Sequence, residues 1–369
     1  MSQQWAGELF TRIAVPRLPG SPALPAVEEA IAERLRAFGY GVRRDEFRAS
    51  PRRLSAATVA GAGLGWVTLI IVPLLLLPVP GWPVTLIGVG ALGLVAVLAV
   101  GIAEGRLPVS SLEVPTANLR ATRGEPALWL VAHVDSKAQG LSLLARAIAA
   151  VSAGAGVLGL LSLLVARLVT PLPWWAVVPV AAVALIGGAA FSRGTPRNDS
   201  PGAVDNATGV IAVLVAAERL RERTDVGVLL TGAEEFAMEG ARAWVQAGPA
   251  SGLFINFDGV DSRGRYRVVP HPPRREGSGA ALSADLSGVL ATVLSERGHP
   301  VKEGRLPFGV YVDGAVLAGA GMPGVTLCRG DWRTLRVVHT SQDTVGRVDV
   351  QAAVEAGEAT AAAVRRLLG

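Results

Sequence analysis

Hydrophobic and polar positions along the chain follow two different regimes. In the first, Pro25 to Phe38 sets Val27, Ala30, Ile31, Leu35 and Phe38 at near-helical spacing with Glu and Arg opposite, which predicts an amphipathic helix. Gly39-Tyr40-Gly41 ends it, and Val42 to Phe47 reads as a strand. In the second regime, Leu54 to Ala103 runs for 50 positions without a charged residue, broken only at the turn Pro78-Val79-Pro80-Gly81-Trp82-Pro83. Roughly 20 apolar residues on either side are enough for a helix to cross a ~30 Å hydrocarbon core. The arrangement recurs: Ala147 to Ala166 is uncharged, Pro171-Leu172-Pro173-Trp174-Trp175 turns, and Ala176 to Phe191 returns, with Pro179 in its first turns. Trp82, Trp174 and Trp175 stand at the hairpin tips, where amphipathic rings favour a membrane interface. A helical hairpin buried in a large soluble core is the alternative reading. The span-length criterion favours two transmembrane hairpins of about four spans.

Composition agrees with that division. Of 369 residues half are apolar and 18% charged, against ~25% for soluble domains, and the mean hydropathy is +0.42. Disorder is excluded by the apolar content. One cysteine, Cys328, rules out an internal disulfide framework and a cysteine-based zinc finger. The net charge of +5 with interspersed acids argues against a nucleic-acid partner, and arginine supplies nearly all the positive charge, since only Lys137 and Lys302 are lysines. Residues 1–50 lack the apolar stretch of a signal peptide. The two hairpins (54–103 and 147–192) are therefore expected to interrupt one α/β domain formed by 1–53, 104–146 and 193–369.

Within that domain five short segments carry candidate chemistry. Ala127 to His133-Val134-Asp135 is a strand-type run with polar groups at its carboxyl end, where open α/β sheets bind ligands. Gly202-Ala-Val-Asp205-Asn206-Ala-Thr-Gly209 precedes an amphipathic helix, Val210 to Arg221. Val226 to Thr231 is a strand followed by Glu234-Glu235, and Leu253 to Phe257 is another ending at Asp258. His339 and Asp343-Thr344 precede the last helix, Val350 to Leu368. Singly, each reads as exposed charge at a strand end. Together, two histidines and three carboxylates suit a pair of divalent cations, zinc first. Such a pair needs a bridging carboxylate, and Asp205 suits that place.

The series His133-x-Asp135, Asp205-Asn206-Ala-x-Gly209, Glu234-Glu235, Asp258 and His339 with Asp343-Thr344 resembles the co-catalytic di-zinc peptidases, which include bacterial leucyl-type aminopeptidases and glutamate carboxypeptidases. The opening Pro16-Arg17-Leu-Pro-Gly20-Ser21-Pro22 is similar to theirs as well. The resemblance implies a three-layer α/β/α fold with a mixed central sheet. It implies two zinc ions, His133 and Asp258 on one, Glu235 and His339 on the other, Asp205 between them. Asp135 would orient His133, and Glu234 would be the general base. The implied activity is amide hydrolysis by an exopeptidase, an aminopeptidase first, with a lipid-like N-acyl amidase or a cyclase as alternatives on the same fold. A non-catalytic binding relative or a transporter with a regulatory domain are readings from other classes. The first should have lost a ligand or the base. The second should carry ionisable residues in its spans, which hold only Arg146 and Arg167 at their margins.

The chain departs from the family at Tyr311-Val312-Asp313-Gly314-Ala315, where the usual Ser-Asp-His lacks its histidine. Tyr311 is expected to pack structurally. Arg333 and Arg336 either recognise a carboxylate or solvate a loop, His271 and His299 read as loop residues, and Cys328 as buried and inert. Asp343 supports the His339 loop or starts a helix.

Arg43, Arg44, Arg48, Arg52, Arg53, Arg106, Arg146, Arg193 and Arg197 flank the spans on the soluble-domain side, against Arg167 alone at the tips. The positive-inside rule then places the catalytic domain in the cytoplasm. Because the second hairpin is inserted between His133 and Asp205, extended chain allows the metals to lie no more than roughly 45 Å from the bilayer. A cleft opening towards the membrane, and amphiphilic amide substrates, are the expectation.

Overall fold

The computed structural model describes residues 4–104, 106–107, 113–248, 251–273, 279–306 and 310–369. Gly105, Ser111 and Leu112, expected to belong with the soluble domain, lie outside the described residues. In chain order the elements are α1 (Gln4–Ile13), α2 (Leu24–Ala37), β1 (Gly41–Ala49), α3 (Arg52–Leu76), α4 (Gly81–Ala103), β2 (Val114–Thr122), β3 (Leu128–His133), α5 (Leu143–Ala166) and α6 (Trp174–Phe191). They continue with α7 (Thr208–Arg219), β4 (Val226–Thr231), α8 (Glu239–Ala247), β5 (Leu253–Val260), β6 (Arg265–His271), α9 (Gly279–Glu296), β7 (Val301–Glu303), α10 (Asp313–Gly319), β8 (Gly324–Gly330), α11 (Trp332–Val337) and α12 (Gln351–Leu368). The chain divides into two units. One comprises Met1–Ser50, Glu113–Ala138 and Arg197–Gly369, the other Pro51–Leu112 and Gln139–Pro196.

The first unit is built on an eight-stranded sheet of order β1-β2-β4-β3-β5-β8-β6-β7. β4, β3, β5 and β8 run parallel, while β1, β2 and β6 introduce antiparallel pairings, so the sheet is mixed as expected. β3 and β4 are buried at all six positions each, which is why their sequences are continuous Val/Leu/Ala runs rather than alternations. Trp129 and Val131 of β3 join Leu317 and Met322 in a cluster with Trp244 of α8. The intervening residues, Leu128 and Leu130, point to the opposite face by strand alternation, towards the layer in which α7 packs on α12. The chain leaves β3 to form β4 on one side and later β5 on the other, so a topological switch point lies at the carboxyl end of β3. Ala138 and Arg197 exchange two backbone hydrogen bonds of 2.8 Å, closing the unit across the stretch where residues 139–196 are inserted.

His271 is not a loop residue. It ends β6, opposite Gly324, its ring 5.9 Å from that of Phe254 and its Nε2 2.9 Å from Thr326 Oγ1. Burial lowers its pKa to about 4, from 6.5. The unfolded chain takes up this proton below pH 6.5 and the folded chain only near 4, so the ring's contribution is complete above 6.5 and lost as the pH falls through that window. Comparing the urea midpoints of wild type and His271→Gln from pH 7 to 4 should show the wild type losing up to roughly 3 kcal/mol more than the variant. His299 does lie in a turn, edge-on to Tyr266 at 5.2 Å.

The second unit consists of α3 to α6. All four helices are long and apolar enough to cross a membrane. Val67, Ile71, Leu75, Val84, Leu164 and Val177 form part of its interior, while Trp66, Leu86, Leu158 and Ile186 face outward and are exposed. Close approach comes from small residues. A Cβ on Gly61 would stand 2.6 Å from the Gly188 carbonyl oxygen, and one on Gly156 2.5 Å from Ala184 Cα. Arg167, at the tips, is buried and donates to the carbonyl oxygens of Leu77 (2.9 Å) and Val79 (2.5 Å). α5 begins at Leu143, so Arg146 lies in its first turns.

Candidate metal centre

Three parallel strand ends and two loops bring the candidate residues together. His133 is the last residue of β3 and pairs with Thr231, the last of β4, so Glu234 and Glu235 leave the sheet beside it. On the other side Ala132 pairs with Phe257, and the β5–β8 register shifts between Phe257 and Val260, where Asp258 sits. The bulge turns Asp258 out of the ladder at the level of His133.

Asp205 comes from the loop before α7. Asp343 fixes that loop, its two carboxylate oxygens accepting from the Val204 (2.8 Å) and Asp205 (3.0 Å) N–H groups. The expectation that Asp343 serves the His339 loop or starts a helix is corrected here: it holds the backbone of Asp205. The Asn206 amide donates to the Phe257 carbonyl at 2.8 Å and accepts from Gly259 N at 3.2 Å, tying this loop to the β5 bulge. Gly209 completes the motif because a Cβ there would lie 2.0 Å from Asn206 Oδ1. Opposite, His339 adopts φ 65°, a left-handed conformation a histidine takes only when the surroundings impose it.

The donors form two groups of three, His133–Asp205–Asp258 and Asp205–Glu235–His339, the ligand atoms of each lying within 4.8 Å of one another. Asp205 is common to both. Its Oδ1 is 3.0 Å from His133 Nε2 and its Oδ2 3.2 Å from His339 Nε2, so each oxygen faces one imidazole. Glu235 Oε2 is also 3.2 Å from His339 Nε2.

Asp135 does something other than expected. The nearer partner of His133 Nδ1 is the Asp135 backbone carbonyl at 3.1 Å, the carboxylate standing at 3.6 Å. That carboxylate accepts instead from the N–H groups of Glu234 and Glu235, both at 3.1 Å. Asp135 therefore positions the glutamate pair as well as the imidazole.

Charge in the cluster is strongly shaped. Burial disfavours the His133 imidazolium, but Asp135, Asp205 and Glu234 outweigh it and hold the ring well above its usual pKa. Asp205 is held well below the carboxylate range, its burial offset by the two imidazoles. Burial pushes Asp258 up to about 7. The adjacent glutamates part company: burial drives Glu234 well up, whereas beside Lys137 and His339 the Glu235 carboxyl falls to about 2 despite its burial. A largely buried cluster of two imidazoles and three carboxylates, with Asp205 shared, fits divalent cations with mixed N/O preference such as zinc.

Three side chains that have no assigned role in the sequence contribute. Arg17, 1% exposed, donates to the carbonyl oxygens of Val134 (2.6 Å), Val15 (3.1 Å), Pro201 (2.5 Å) and Gly202 (3.0 Å), joining the strand that carries His133 to the loop that carries Asp205. Its signal was an arginine inside an apolar Pro-rich turn. Asp313 is buried at the start of α10 and accepts from Thr231 Oγ1 at 2.5 Å. Lys137 pairs with Glu235 at 2.8 Å. Other expectations fall outside the cluster. Tyr311 is 68% exposed rather than packed, and Arg333 and Arg336 stack over the Trp332 ring at 5.4 and 5.5 Å. Cys328, expected to be buried, is half-buried, and desolvation pushes its thiol up to about 12.

The chain has counterparts among known proteins. Residues 188–364 match peptidase family M28. The M28 segment contains Asp205, Glu234, Glu235, Asp258 and His339, and the β3 end with His133 and Asp135 precedes it. The fold is similar to that of an aminopeptidase from Aneurinibacillus sp. strain AM-1, at 12% identity and TM-score 0.57 over 99% of this chain and 93% of that one. It is similar to a zinc aminopeptidase from Bacillus subtilis (14%, 0.57, 99% and 94%) and to a Porphyromonas gingivalis glutaminyl cyclase (14%, 0.55, 99% and 98%). The expected likeness to the co-catalytic zinc peptidases thus holds, and at these identities the solved structures share the fold with this chain. Among the curated proteins none matches the sequence.

Proposed function

We propose that the chain is a zinc-dependent exopeptidase, an aminopeptidase, carried on four membrane spans. The observation behind this reading is the shared Asp205, each of whose oxygens faces one imidazole of a three-donor group. Zinc held by His133, Asp205, Asp258, Glu235 and His339 would supply Lewis-acid activation of an amide carbonyl and of water. Glu234 takes the proton from the attacking water and returns it to the leaving amine. Asp135 keeps Glu234 and Glu235 in place through their backbone N–H groups, and Arg17 and Asp343 hold the loop of Asp205.

The test is turnover by zinc-loaded full-length protein in lipid nanodiscs on aminoacyl anilides, N-acyl amides and peptides beginning with glutamine. Release from free-amine substrates, abolished by chelation, is the expected result. Hydrolysis confined to N-acyl amides would replace the reading with an amidase. Ring closure of N-terminal glutamine would replace it with a cyclase, the reading that the fold shared with glutaminyl cyclases keeps open. Amphiphilic substrates belong to the same proposal. Their support is connectivity: residues 139–196, with two of the four apolar helices, are inserted between His133 and Asp205. If soluble short peptides are cleaved best and bilayer composition has no effect, this extension fails.

The arginine distribution supports a cytoplasmic catalytic unit. Gly81 is a poor labelling site at the tips, because a Cβ there would meet the Arg167 carbonyl oxygen at 2.0 Å, whereas Val169 is 89% exposed. In a Cys328→Ala background, Val169→Cys is expected to react with an impermeant maleimide added outside intact cells, and Asp285→Cys, on an exposed turn of α9, only after permeabilisation. The opposite pattern reverses the orientation.

A further inference from the structure

We propose that Lys137 is a cation built into the Asp205–Glu235–His339 half of the centre, and that it makes the two halves unequal in their hold on zinc. The proposal rests on the two-metal reading above and goes beyond it. Lys137 lies two residues after Asp135, with its side chain 9% exposed. Its ammonium is 2.8 Å from Glu235 Oε2 and donates to the Glu235 carbonyl oxygen at 3.2 Å, while its backbone N–H donates to Oε1 at 3.1 Å. One residue thus engages both carboxylate oxygens of a candidate ligand. The oxygen that takes the ammonium is the same one that stands 3.2 Å from His339 Nε2.

The choice of side chain is informative. The chain has 35 basic residues and only two are lysines, the other being Lys302, exposed on β7. A compact ammonium concentrates its charge on one point, where guanidinium would spread it over a planar fork. Buried beside a carboxylate oxygen, that charge competes with a divalent ion for the oxygen's electrons and repels the ion itself. Both halves set two carboxylates against one imidazole, so the ammonium on Glu235 is what distinguishes them. The His133–Asp205–Asp258 half should fill first, and the half containing Glu235 second and more weakly.

Calorimetric titration of metal-free, full-length protein in nanodiscs with zinc alone reads this directly. Wild type is expected to show two steps at least tenfold apart in Kd. Lys137→Met should tighten the weaker step at least tenfold and leave the stronger within twofold. Lys137→Gln, which keeps a donor without the charge, should behave like Lys137→Met, and Lys137→Arg, whose charge is spread over a fork, should fall between Lys137→Met and wild type; thermal unfolding of each variant verifies folding. His339→Asn should delete the weak step and Asp258→Asn the strong one. A wild-type step of one zinc equivalent that becomes two equivalents in Lys137→Met also supports the assignment. Equal steps in wild type, or folded Lys137→Met and Lys137→Gln proteins with the wild-type isotherm, overturn it. The two readings fail separately: unequal, lysine-dependent steps without turnover would sink the hydrolase alone, and turnover with equal steps would sink the role of Lys137 alone.

Discussion

Glu234→Gln protein is expected to keep its zinc and lose turnover by about 10²–10⁴-fold, the usual span for removing a general base. Glu234 belongs to neither three-donor group, yet it adjoins Glu235, which does. Its backbone N–H is anchored on Asp135 Oδ1 at 3.1 Å, a contact the amide variant retains, so the glutamine should sit where the glutamate sits. Metal analysis of purified protein beside kcat on the best substrate separates the outcomes. Full activity would remove Glu234 from the mechanism, and loss of zinc would make it a ligand. Asp205→Asn is the contrasting case. Asp205 is the residue common to both groups, with an imidazole within 3.2 Å of each oxygen, so replacing one oxygen by an amide nitrogen should lower zinc content as well as activity.

Arg17→Met is expected to destabilise the protein by about 3–5 kcal/mol and to weaken zinc binding by roughly 10–100-fold. Four hydrogen bonds from one guanidinium end on carbonyl oxygens of three separate segments, and methionine would leave those oxygens buried without their donor. Burial lowers the Arg17 pKa to about 10, so the group is a cation throughout the neutral range. Gly202, one of its acceptors, has φ 57°, and a Cβ there would meet Ser136 at 2.4 Å, so the loop leading to Asp205 has little room for another course. Chemical denaturation with and without excess zinc measures both effects. Arg17→Lys should recover part of the stability, since an ammonium cannot span all four acceptors. Wild-type stability in Arg17→Met would show that the three segments are held by other contacts.

The local elements followed directly from the order of residues. The Val226–Thr231 strand coincides with β4, the apolar hairpins became pairs of long helices, and the motif order anticipated which residues meet at the ends of β3, β4 and β5. Such features are legible because they depend on periodicity, on the lack of charge over some 20 positions, and on residues that act within one turn of each other. The partners of the individual side chains were another matter. Asp135 touches His133 two residues away, as its spacing suggests, but its carboxylate also holds Glu234 and Glu235 about a hundred positions on. For Asp343 the local sequence suggests support of the His339 loop or a helix start, and its carboxylate holds Asp205, 138 residues earlier. Arg17 and Lys137 carry no role that their own sequence neighbourhood reveals, and both are buried, one on carbonyl oxygens and the other on a candidate ligand. Buried polar groups must find partners wherever the folded chain brings donors and acceptors within about 3 Å, and that depends on the crossing of strands and loops far apart in sequence. The residue types of the centre, with Asp205 between the two groups, were thus legible in the sequence, whereas which side chains position the candidate ligands and which carboxylate is ion-paired was decided by the tertiary structure.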